Sequence, residues 1–400
     1  MQAGPKRAFE AIEAIEATAA FEAIEAIQAA GTLQEAQRCG STSGKLFLNE
    51  SPKFEKSVAK KIIEMNFCII GAGAWGTAVS IHLANNGHST TLVPRRYDHA
   101  LDLSSARINQ DYLPGIDFPT DLQIGASLKP SLMECDYVFY ACPSHALRET
   151  CSNASRHLLS SWGLKGVIAL CKVLEPETNL FAHEVMASEM PQNIATGYLT
   201  GPSHAHDVAI GKPSAMSLAM NLDGKELSSL RDAISSPRMR VYSTDDLIGV
   251  ALGSCLKNVY AIATGISDGL GFGDNARAAL LTRSMNEMIC LGCEIGGRQE
   301  TFFGLSGFGD LIGTCMGEWS RNRNFGLRVA SGESPHGTKD NQKTVVEGYW
   351  ATRCFHEKCE KLGIEMPILS EIYQILYQNK KPSEALNDLM GRELRRESIQ

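Results

Sequence analysis

The sequence lacks any uninterrupted run of about 18 apolar residues, so it predicts no membrane-spanning helix. It also lacks an excess of charge of one sign, because 38 basic and 45 acidic residues leave a net charge of only -7 over 400 residues. Without a basic face, no nucleic-acid partner is expected. The N-terminus has no charged segment followed by an apolar one, so no secretion signal is expected.

The 12 cysteines have irregular spacing. This pattern predicts free thiols in a reducing compartment, and we expect a cytoplasmic protein. Cys290 and Cys293 form a C-x-x-C, which is one way to build a metal or redox pair. The apolar periodicity around them instead favours two free thiols on a buried helix, and no second pair stands nearby.

The first 65 residues differ from the rest of the chain. Residues 8–17 (AFEAIEAIEA) and 20–29 (AFEAIEAIQA) are nearly identical, and their alanine and glutamate favour helix. Their apolar residues recur every three positions, which gives no sustained apolar seam. The acidic content argues against an organelle-targeting peptide. We interpret residues 1–65 as a weakly helical appendage and linker, with a partner-binding helix as the alternative.

Short apolar segments alternate with helical ones between residues 66 and 244. This alternation indicates an α/β Rossmann domain with a doubly wound, mostly parallel sheet. From residue 245 to residue 400 helical periodicity dominates, which predicts an all-α domain. The predicted strands are 67–70, 90–93, 137–141, 167–170 and 197–200, and the first predicted helix is 75–86.

A glycine-rich segment, Gly71-Ala-Gly73-Ala-Trp-Gly76, follows the first predicted strand and opens the first predicted helix. In a dinucleotide-binding turn the first glycine permits the tight turn, the second admits the phosphates and the third lets the helix pack on the strand. The helix N-terminus then faces the pyrophosphate with free N–H groups. The strand–turn–helix context favours this interpretation over an ordinary glycine-rich turn.

The end of the second predicted strand bears on the choice of dinucleotide. NAD-selective folds place Asp or Glu there, about 20 residues after the glycines, to accept a hydrogen bond from the ribose 2′-hydroxyl. This chain has Arg95 and Arg96 instead. Arginine binds a 2′-phosphate but accepts no hydrogen bond, which favours NADP or dual use. The alternative is that Arg95 and Arg96 are a solvated charged pair that does not contact the cofactor. Because both interpretations stay open, the expected cofactor is NAD or NADP.

Three polar groups interrupt the predicted helices of the second half. Pattern alone favours Lys257 as a surface lysine whose stem lies on apolar neighbours; the alternative is a buried amine with a lowered pKa. Asp310 ends a glycine-rich turn, with Thr314 one helical turn later. Its carboxylate is a candidate functional group, and the alternative is that it caps the N-terminus of a helix. The segment 320–326 (SRNRNFG) is an Arg/Asn cluster suited to a phosphate, or else an exposed basic helix end.

Polar residues also follow predicted strands of the first half. Lys172 comes after the strand 167–170, at the sheet edge where ligands of open α/β folds bind. The segment 201–205 (GPSHA) offers backbone donors, or else is a rigid proline turn. His204 and His206 lack a third ligand, so no metal is expected. Glu347 is a candidate carboxylate near the cofactor, with an ordinary surface glutamate as the alternative.

Taken together, these motifs resemble the bacterial type of NAD(P)-dependent glycerol-3-phosphate dehydrogenase, over about residues 66 to 396. Many independent motifs occur in the family's order, which makes the resemblance specific. They are GAGAWGTA (71–78), YLPG (112–115), PSH (143–145), Lys172, GPSHA (201–205), the segment 256–280, GFGDLIGTC (307–315), SRNRNFG (320–326) and VVEGY (345–349).

The resemblance implies hydride transfer between NAD(P)(H) and sn-glycerol 3-phosphate or dihydroxyacetone phosphate, in an enzyme that supplies glycerophospholipid synthesis, commonly as a homodimer. It implies Lys257 as the proton acceptor, with Asp310 and Lys172 completing the catalytic group. The implied substrate contacts are Lys172, Gly201, Ser203, Lys257, Asp310, Thr314, Ser320, Arg321 and Asn322. The expected cofactor contacts are Gly71, Gly73, Ala74, Trp75, Gly76, Arg95, Lys172, Ala205, Arg321, Val345 and Glu347.

Four positions depart from the family's usual residues. Val173 replaces a glycine, His204 an aromatic residue, Ser254 a glycine and Pro94 a tryptophan. None removes a charged catalytic group, so the departures bear on affinity and cofactor preference rather than on reaction type.

Two other functions make different predictions for these residues. A dehydrogenase for a hydroxy acid or phosphosugar predicts no phosphate cluster at 320–326. A nucleotide-sensing regulator without turnover predicts loss of the Lys257 and Asp310 pair, which is present. A scaffold role for the N-terminal repeat is compatible with catalysis.

Overall fold

The computed structural model describes residues 64–158, 163–172, 174–175, 177–335 and 346–393. The N-terminal repeat at 8–29 lies outside the described residues, as do Val173 and Val345, so the predictions made for them stay predictions. Residues Ile62–Gln400 cluster into one compact unit, and every element named below lies within it.

An eight-stranded sheet organises the first half of this unit. The described strands are β1 (Asn66–Ile70), β2 (Ser89–Val93), β3 (Ile108–Asn109), β4 (Leu113–Asp117), β5 (Gln123–Ile124), β6 (Tyr137–Tyr140), β7 (Gly166–Ala169), β8 (Ala195–Thr200), β9 (Ser214–Met220) and β10 (Met239–Thr244). The sheet order is β10-β9-β8-β7-β6-β1-β2-β5, and β3 pairs with β4 separately. Sheet neighbours run parallel except β8 and β9, which are antiparallel.

Both faces of the sheet are buried. Successive side chains of a strand point to opposite faces. Val138 and Val167, which are register partners, belong to one apolar cluster, whereas Phe139 and Ile168 belong to another. Helices cover both faces because each cluster must be shielded from water. The predicted doubly wound, mostly parallel sheet is confirmed.

The helices connect the strands and then form the whole of the described second half. In chain order they are α1 (Ala74–Asn85), α2 (Tyr97–Ala106), α3 (Leu128–Leu132), α4 (Leu147–Leu158), α5 (Ala182–Glu189), α6 (Ala205–Ala209), α7 (Gly224–Ile234), α8 (Leu247–Gly269), α9 (Gly273–Glu294), α10 (Gln299–Phe303), α11 (Asp310–Met316), α12 (Arg321–Ala330), α13 (Glu347–Leu362), α14 (Pro367–Tyr377) and α15 (Pro382–Met390). After β10, every element in the described ranges is helical, so the predicted order of an α/β part followed by an α part is confirmed.

Helix α8 is the central element of the helical part. It packs against α9, α11, α12 and α13. By length and composition it is apolar enough to cross a membrane, but 89% of its most apolar 18-residue window is buried inside the protein. A helix that is apolar all round and enclosed by other helices is a core helix. Its burial determines the environment of every polar side chain that it carries.

Candidate active site

The glycine-rich turn between β1 and α1 has the geometry that a dinucleotide needs. Gly71 has a φ of 117°, and a Cβ there would lie 2.6 Å from the carbonyl oxygen of Ala141. A Cβ on Gly76 would overlap the carbonyl oxygen of Gly71, so the fold itself requires both glycines. The Cβ position of Gly73 is open, with no atom within 4 Å. This open backbone, next to the N-terminus of α1 at Ala74 and Trp75, fits a pyrophosphate.

A buried asparagine supports the turn, and sequence reasoning missed it. Asn109 Nδ2 donates to the carbonyl oxygen of Ala72 at 2.9 Å and to Thr77 Oγ1 at 2.8 Å. Asn109 Oδ1 accepts from the backbone N–H of Tyr112 at 3.3 Å. Asn109 stands 37 residues from Ala72, so periodicity and turn patterns give no signal for this contact. In the sequence, the one signal for a role of Asn109 is its position shortly before the motif YLPG at 112–115.

Arg95 lies beside the glycine turn at the same sheet edge. Val93, the last residue of β2, is the register partner of Ile70, and its carbonyl oxygen accepts from Gly71 N at 2.9 Å. Pro94 is buried, whereas Arg95 and Arg96 are exposed. The Arg95 guanidinium is therefore accessible at the end of β2, the position that distinguishes the two dinucleotides.

Two lysines converge on one buried carboxylate. Lys257 Nζ lies 2.5 Å from Asp310 Oδ1, and Lys172 Nζ lies 2.5 Å from Asp310 Oδ2. Lys257 Nζ also donates to Thr314 Oγ1 at 2.5 Å. The Lys257 side chain is 4% exposed and that of Lys172 is 22% exposed. The pattern-based interpretation of Lys257 as a surface lysine is wrong, because α8 is enclosed on all sides.

The buried amine of Lys257 exchanges its proton at an unusually low pH. Burial lowers the pKa of Lys257 to about 7, the Lys172 ammonium acts in the same direction, and the Asp310 carboxylate opposes both. An amine with a pKa near neutrality exists in both protonation states at ordinary pH. Lys257 can therefore take up or release a proton during a reaction.

An irregular backbone places Asp310 opposite the lysines. Residues Leu305–Gly309 form a π-helical turn that leads directly into α11. A Cβ on Gly307 would overlap the carbonyl oxygen of Phe302, so this turn needs a glycine. The alternative of Asp310 as a helix N-cap is wrong, because its carboxylate binds the two lysines and Gly309 precedes the helix. π-helical turns occur often at functional sites.

The N-terminus of α12 carries the predicted phosphate cluster. Ser320 caps the helix, because its Oγ accepts from Arg323 N at 3.3 Å, and Arg321 is exposed. Asn322 is buried: Nδ2 donates to Asn258 Oδ1 at 2.9 Å, and Oδ1 accepts from Gly348 N at 2.9 Å. The Asn322 side chain thus ties α12 to α8 and α13. At this helix end, an anion can bind to the Arg321 guanidinium and to the first backbone N–H groups of α12.

The segment after β8 lies next to this helix end. Gly201 has a φ of 145°, and Ser203 Oγ donates to its carbonyl oxygen at 3.0 Å. The ring of His204 stacks on Trp319 with centroids 5.0 Å apart and planes at 21°. Trp319 immediately precedes Ser320, so the stack brings the segment 201–205 and the start of α12 together. Ala205 begins α6.

Glu347 opens α13 and meets the loop after β6. Ser144 Oγ donates to the Glu347 carboxylate. Burial raises the pKa of Glu347, whereas the hydrogen bond from Ser144 and the charge of Arg321 act in the opposite direction. Glu347 is therefore a partly buried carboxylate near Arg321, and not an ordinary surface glutamate.

Three smaller features concern Ser254, the C-x-x-C pair and metal ligands. Ser254 is buried in α8 and its Oγ donates to the Ala251 carbonyl oxygen at 2.9 Å, so the fold accommodates the extra hydroxyl. Cys290 and Cys293 are free thiols, as predicted, but Cys290 is only half-buried and Cys293 is exposed. Within the described ranges, no three His, Cys, Asp or Glu side chains are grouped to hold a metal ion.

Known proteins match both halves of the chain. Residues 66–225 match the model for the N-terminus of NAD-dependent glycerol-3-phosphate dehydrogenase, and residues 246–387 match the model for its C-terminus. The glycerol-3-phosphate dehydrogenase (NAD(P)+) of Pseudoalteromonas translucida is 41% identical over 334 residues, which are 82% of this chain and 97% of the relative. The enzyme of the same name from Thiobacillus denitrificans is 41% identical over 333 residues, 83% of this chain and 100% of the relative.

Solved structures match over the same part of the chain. A crystal structure of glycerol-3-phosphate dehydrogenase from Coxiella burnetii has a TM-score of 0.76 at 36% identity, and the match covers 82% of this chain and 99% of that one. The structure of the Plasmodium falciparum enzyme has a TM-score of 0.75 at 20% identity, over 83% and 97% of the two chains, and shows the shared fold. On the family models and on these relatives, the chain belongs to the NAD-dependent glycerol-3-phosphate dehydrogenase family.

Proposed function

We propose that this protein catalyses the NAD(P)-dependent interconversion of sn-glycerol 3-phosphate and dihydroxyacetone phosphate. The observation that carries the proposal is the convergence of Lys257 and Lys172 on the Asp310 carboxylate. Lys172 follows β7 and the glycine turn follows β1, and β6 lies between these two parallel strands. The acid–base group and the dinucleotide turn therefore share one edge of the sheet, where open α/β folds bind ligands.

The residues at this edge fit a dinucleotide. The pyrophosphate is assigned to the turn that contains Gly71, Gly73 and Gly76, and the adenosine end to Arg95. The remaining cofactor contacts are proposed from the resemblance and are Ala74, Trp75, Lys172, Ala205, Arg321, Val345 and Glu347. When bound, NAD(P) supplies the hydride acceptor for oxidation and the hydride donor for reduction.

The proton moves through Lys257. In the oxidation direction, neutral Lys257 Nζ accepts the proton of the substrate C2 hydroxyl; in the reduction direction, the ammonium returns it to the C2 oxygen. Asp310 orients the amine by its contact with Nζ. The charge of Lys172 stabilises the negative charge that develops on the C2 oxygen.

The phosphate of the substrate binds at the start of α12. Arg321 supplies a forked, charge-assisted contact, and the helix N-terminus at Ser320 and Asn322 supplies N–H groups and the positive end of its dipole. Gly201 and Ser203 complete the pocket from the segment after β8. Holding the phosphate fixes the position of C2 relative to Lys257, so the C2 hydroxyl is already oriented toward the amine when the reaction begins.

The two parts of the chain would supply different groups of the site. Residues 66–244 would supply the dinucleotide turn, Lys172 and the segment that contains Gly201 and Ser203. Residues 245–400 would supply the base, Asp310 and the helix end that binds the phosphate. On the family resemblance we further propose a cytoplasmic homodimer whose product enters glycerophospholipid synthesis.

The proposal is tested by dihydroxyacetone-phosphate-dependent oxidation of NADH and NADPH, measured side by side. We expect turnover with both, and a loss of the NADPH rate relative to the NADH rate in Arg95→Ala, because only NADPH carries the 2′-phosphate. Unphosphorylated dihydroxyacetone is the matched substrate control. No turnover with either cofactor would refute the activity, whereas an unchanged NADPH to NADH ratio in the variant would refute the role of Arg95.

A further inference from the structure

Two cysteines lie side by side at the carboxyl edge of the sheet. Strands β6 and β7 are parallel neighbours, with Tyr140 opposite Ala169. The ladder continues one residue further, because Leu170 N donates to the Tyr140 carbonyl oxygen at 2.9 Å. Continuing this register by one more residue places Cys142 opposite Cys171. Neighbouring strands lie about 4.8 Å apart, which is within the Cα separation of about 4.4–6.8 Å that disulfides span.

The two thiols share one face of the sheet. Side chains alternate along a strand, so Cys142 and Cys171 point the same way as Tyr140 and Ala169. All four residues belong to, or pack against, the same apolar cluster. Both cysteines are half-buried and both are free thiols.

The two thiols differ in acidity. A hydrogen bond with Cys171 lowers the pKa of Cys142, against the opposing effect of burial. The same contact and burial raise the pKa of Cys171 well above its usual value. Thiolates are the reactive form of cysteine, so Cys142 is the nucleophile of the pair and Cys171 the second thiol. By contrast, burial raises the pKa of Cys68, Cys135, Cys255 and Cys315.

Each cysteine stands close in the chain to one group of the candidate active site. Lys172, which contacts Asp310, follows Cys171 directly in the chain. Ser144, which donates to Glu347, stands two residues after Cys142. The charge of Glu347 acts on both thiols. A covalent link between the cysteines would therefore join the segment that carries Lys172 to the segment that holds Glu347.

We propose that Cys142 and Cys171 form a thiol modification site that hydroperoxides convert to a disulfide, and that this disulfide inactivates the enzyme by displacing Lys172. No contact described for the acid–base group requires either thiol, so the pair provides oxidative control beside the chemistry without taking part in it. The effect on activity rests on the proposed function, whereas formation of the bond does not.

The chemistry balances with one hydroperoxide per disulfide. The Cys142 thiolate attacks the peroxide oxygen, the O–O bond breaks, and a sulfenic acid forms while hydroxide or alkoxide leaves. The Cys171 thiol then attacks the Cys142 sulfur and loses its proton, the S–O bond breaks, and water leaves. Each sulfur gives up one electron, and the peroxide takes up both. A dithiol reductant reverses the oxidation by thiol–disulfide exchange.

The bond is tested first by mass, without reference to activity. The full-length reduced protein is treated with one equivalent of hydrogen peroxide, and its peptides are mapped under non-reducing conditions. We expect a mass loss of about 2 Da per chain, located in a peptide that joins Cys142 to Cys171. In Cys171→Ser, the Cys142 sulfenic acid should persist and react with dimedone. A disulfide between other cysteines, or dimedone labelling elsewhere, would overturn the site.

Inactivation is tested in parallel with dihydroxyacetone phosphate and NADPH. Each protein is compared with its own reduced sample, so any change in basal rate cancels. We expect at least a tenfold loss in the wild-type protein that dithiothreitol reverses, and resistance in Cys142→Ser. Cys293→Ser, at an exposed position on α9, is the matched control and should be as sensitive as the wild type. A mapped disulfide without loss of rate would overturn the inhibitory role, and a reduced protein without any rate would count against the proposed function alone.

Discussion

The Lys257 amine is suited to proton transfer because of where it lies rather than because of its residue type. An exposed lysine is almost fully protonated at neutral pH, whereas burial lowers the pKa of Lys257 to about 7. The Asp310 carboxylate keeps the amine in place without restoring its ordinary pKa.

Replacing Lys257 with alanine should lower kcat by roughly 10²–10⁴, the range for a positioned acid–base group. In the wild-type protein, the oxidation rate should rise as pH increases through about 7, because only the neutral amine accepts a proton, and the reduction rate should fall over the same interval. Steady-state kinetics from pH 5.5 to pH 9 measure both. Lys225→Ala, at an exposed position on α7, is the control; a near-normal kcat in Lys257→Ala would contradict the assignment.

Replacing Arg321 with alanine should raise KM for glycerol 3-phosphate by about 10–100-fold, since charged hydrogen bonds contribute about 1.5–3 kcal/mol. Its effect on the slow oxidation of glycerol should be much smaller, because glycerol has no phosphate. Arg328→Ala, at the exposed far end of the same helix, should leave both substrates unaffected. If the Arg321 variant loses both substrates in equal proportion, the guanidinium does not bind the phosphate.

At the scale of elements, α8 and α12 approach so closely that each needs a glycine at the crossing. A Cβ on Gly265 would overlap the carbonyl oxygen of Arg323, and a Cβ on Gly326 would overlap that of Ile262. This crossing sets the distance between the phosphate end of α12 and the amine on α8. The packing of two helices thus determines the geometry of the site.

Gly265→Ala should lower the free energy of unfolding by about 1–3 kcal/mol, the usual effect of forcing an extra methyl group into a packed core. It should also raise KM for glycerol 3-phosphate, because α12 must move away from α8. Gly224→Ala is the matched control, since its Cβ position has no atom within 4 Å. Urea unfolding and kinetics on both variants measure the effects. Equal stability of the two variants would refute the close crossing.

A buried carboxylate joins three helices. Glu287 on α9 accepts from the backbone N–H groups of Ile368 at 2.6 Å and Leu369 at 3.2 Å, which begin α14, and from Tyr260 Oη on α8 at 3.1 Å. Burial raises the pKa of Glu287 from 4.5 to about 7, against these hydrogen bonds. The folded state therefore holds a proton that the unfolded state loses between these two pH values.

The contribution of Glu287 to stability should be complete below pH 4.5 and should be lost as pH rises to about 7. The loss is up to about 3 kcal/mol, at 1.36 kcal/mol for each pKa unit. Urea unfolding at pH 5 and pH 8 should show a smaller difference in Glu287→Gln than in the wild type. Glu294→Gln, exposed on the same helix, should behave as the wild type does. The same pH dependence in all three proteins would contradict the assignment.

At the scale of the whole molecule, the family models match residues 66–225 and 246–387, and the described site lies within residues 71–347. A variant without residues 1–60 should therefore keep activity close to that of the full chain. Kinetics and thermal unfolding of the two forms measure this. A large loss of activity would show that the N-terminal repeat takes part in catalysis.

Local patterns predicted some elements and missed others for identifiable reasons. Strands β1, β2, β6, β7 and β8 were predicted because each is a short apolar run between polar turns. Strands β9 and β10 were not, since SAMSLAM mixes small and apolar residues without alternation and β10 is a half-exposed edge strand. The sequence predicts an ordinary glycine-rich turn before Asp310, because no local pattern distinguishes a π-helical turn from a glycine-rich loop.

By itself, the sequence determined the glycine turn at 71–76, the order of an α/β part and a helical part, and the family. These depend on contacts between near neighbours in the chain and on the order of the motifs, and both can be read directly from the amino-acid sequence. Only the tertiary structure decided that Lys257 is a buried amine. Asp310 lies 53 residues from Lys257 and 138 from Lys172, and packing alone brings the three together. A pKa depends on burial and on neighbouring charge, and both arise only when distant segments meet.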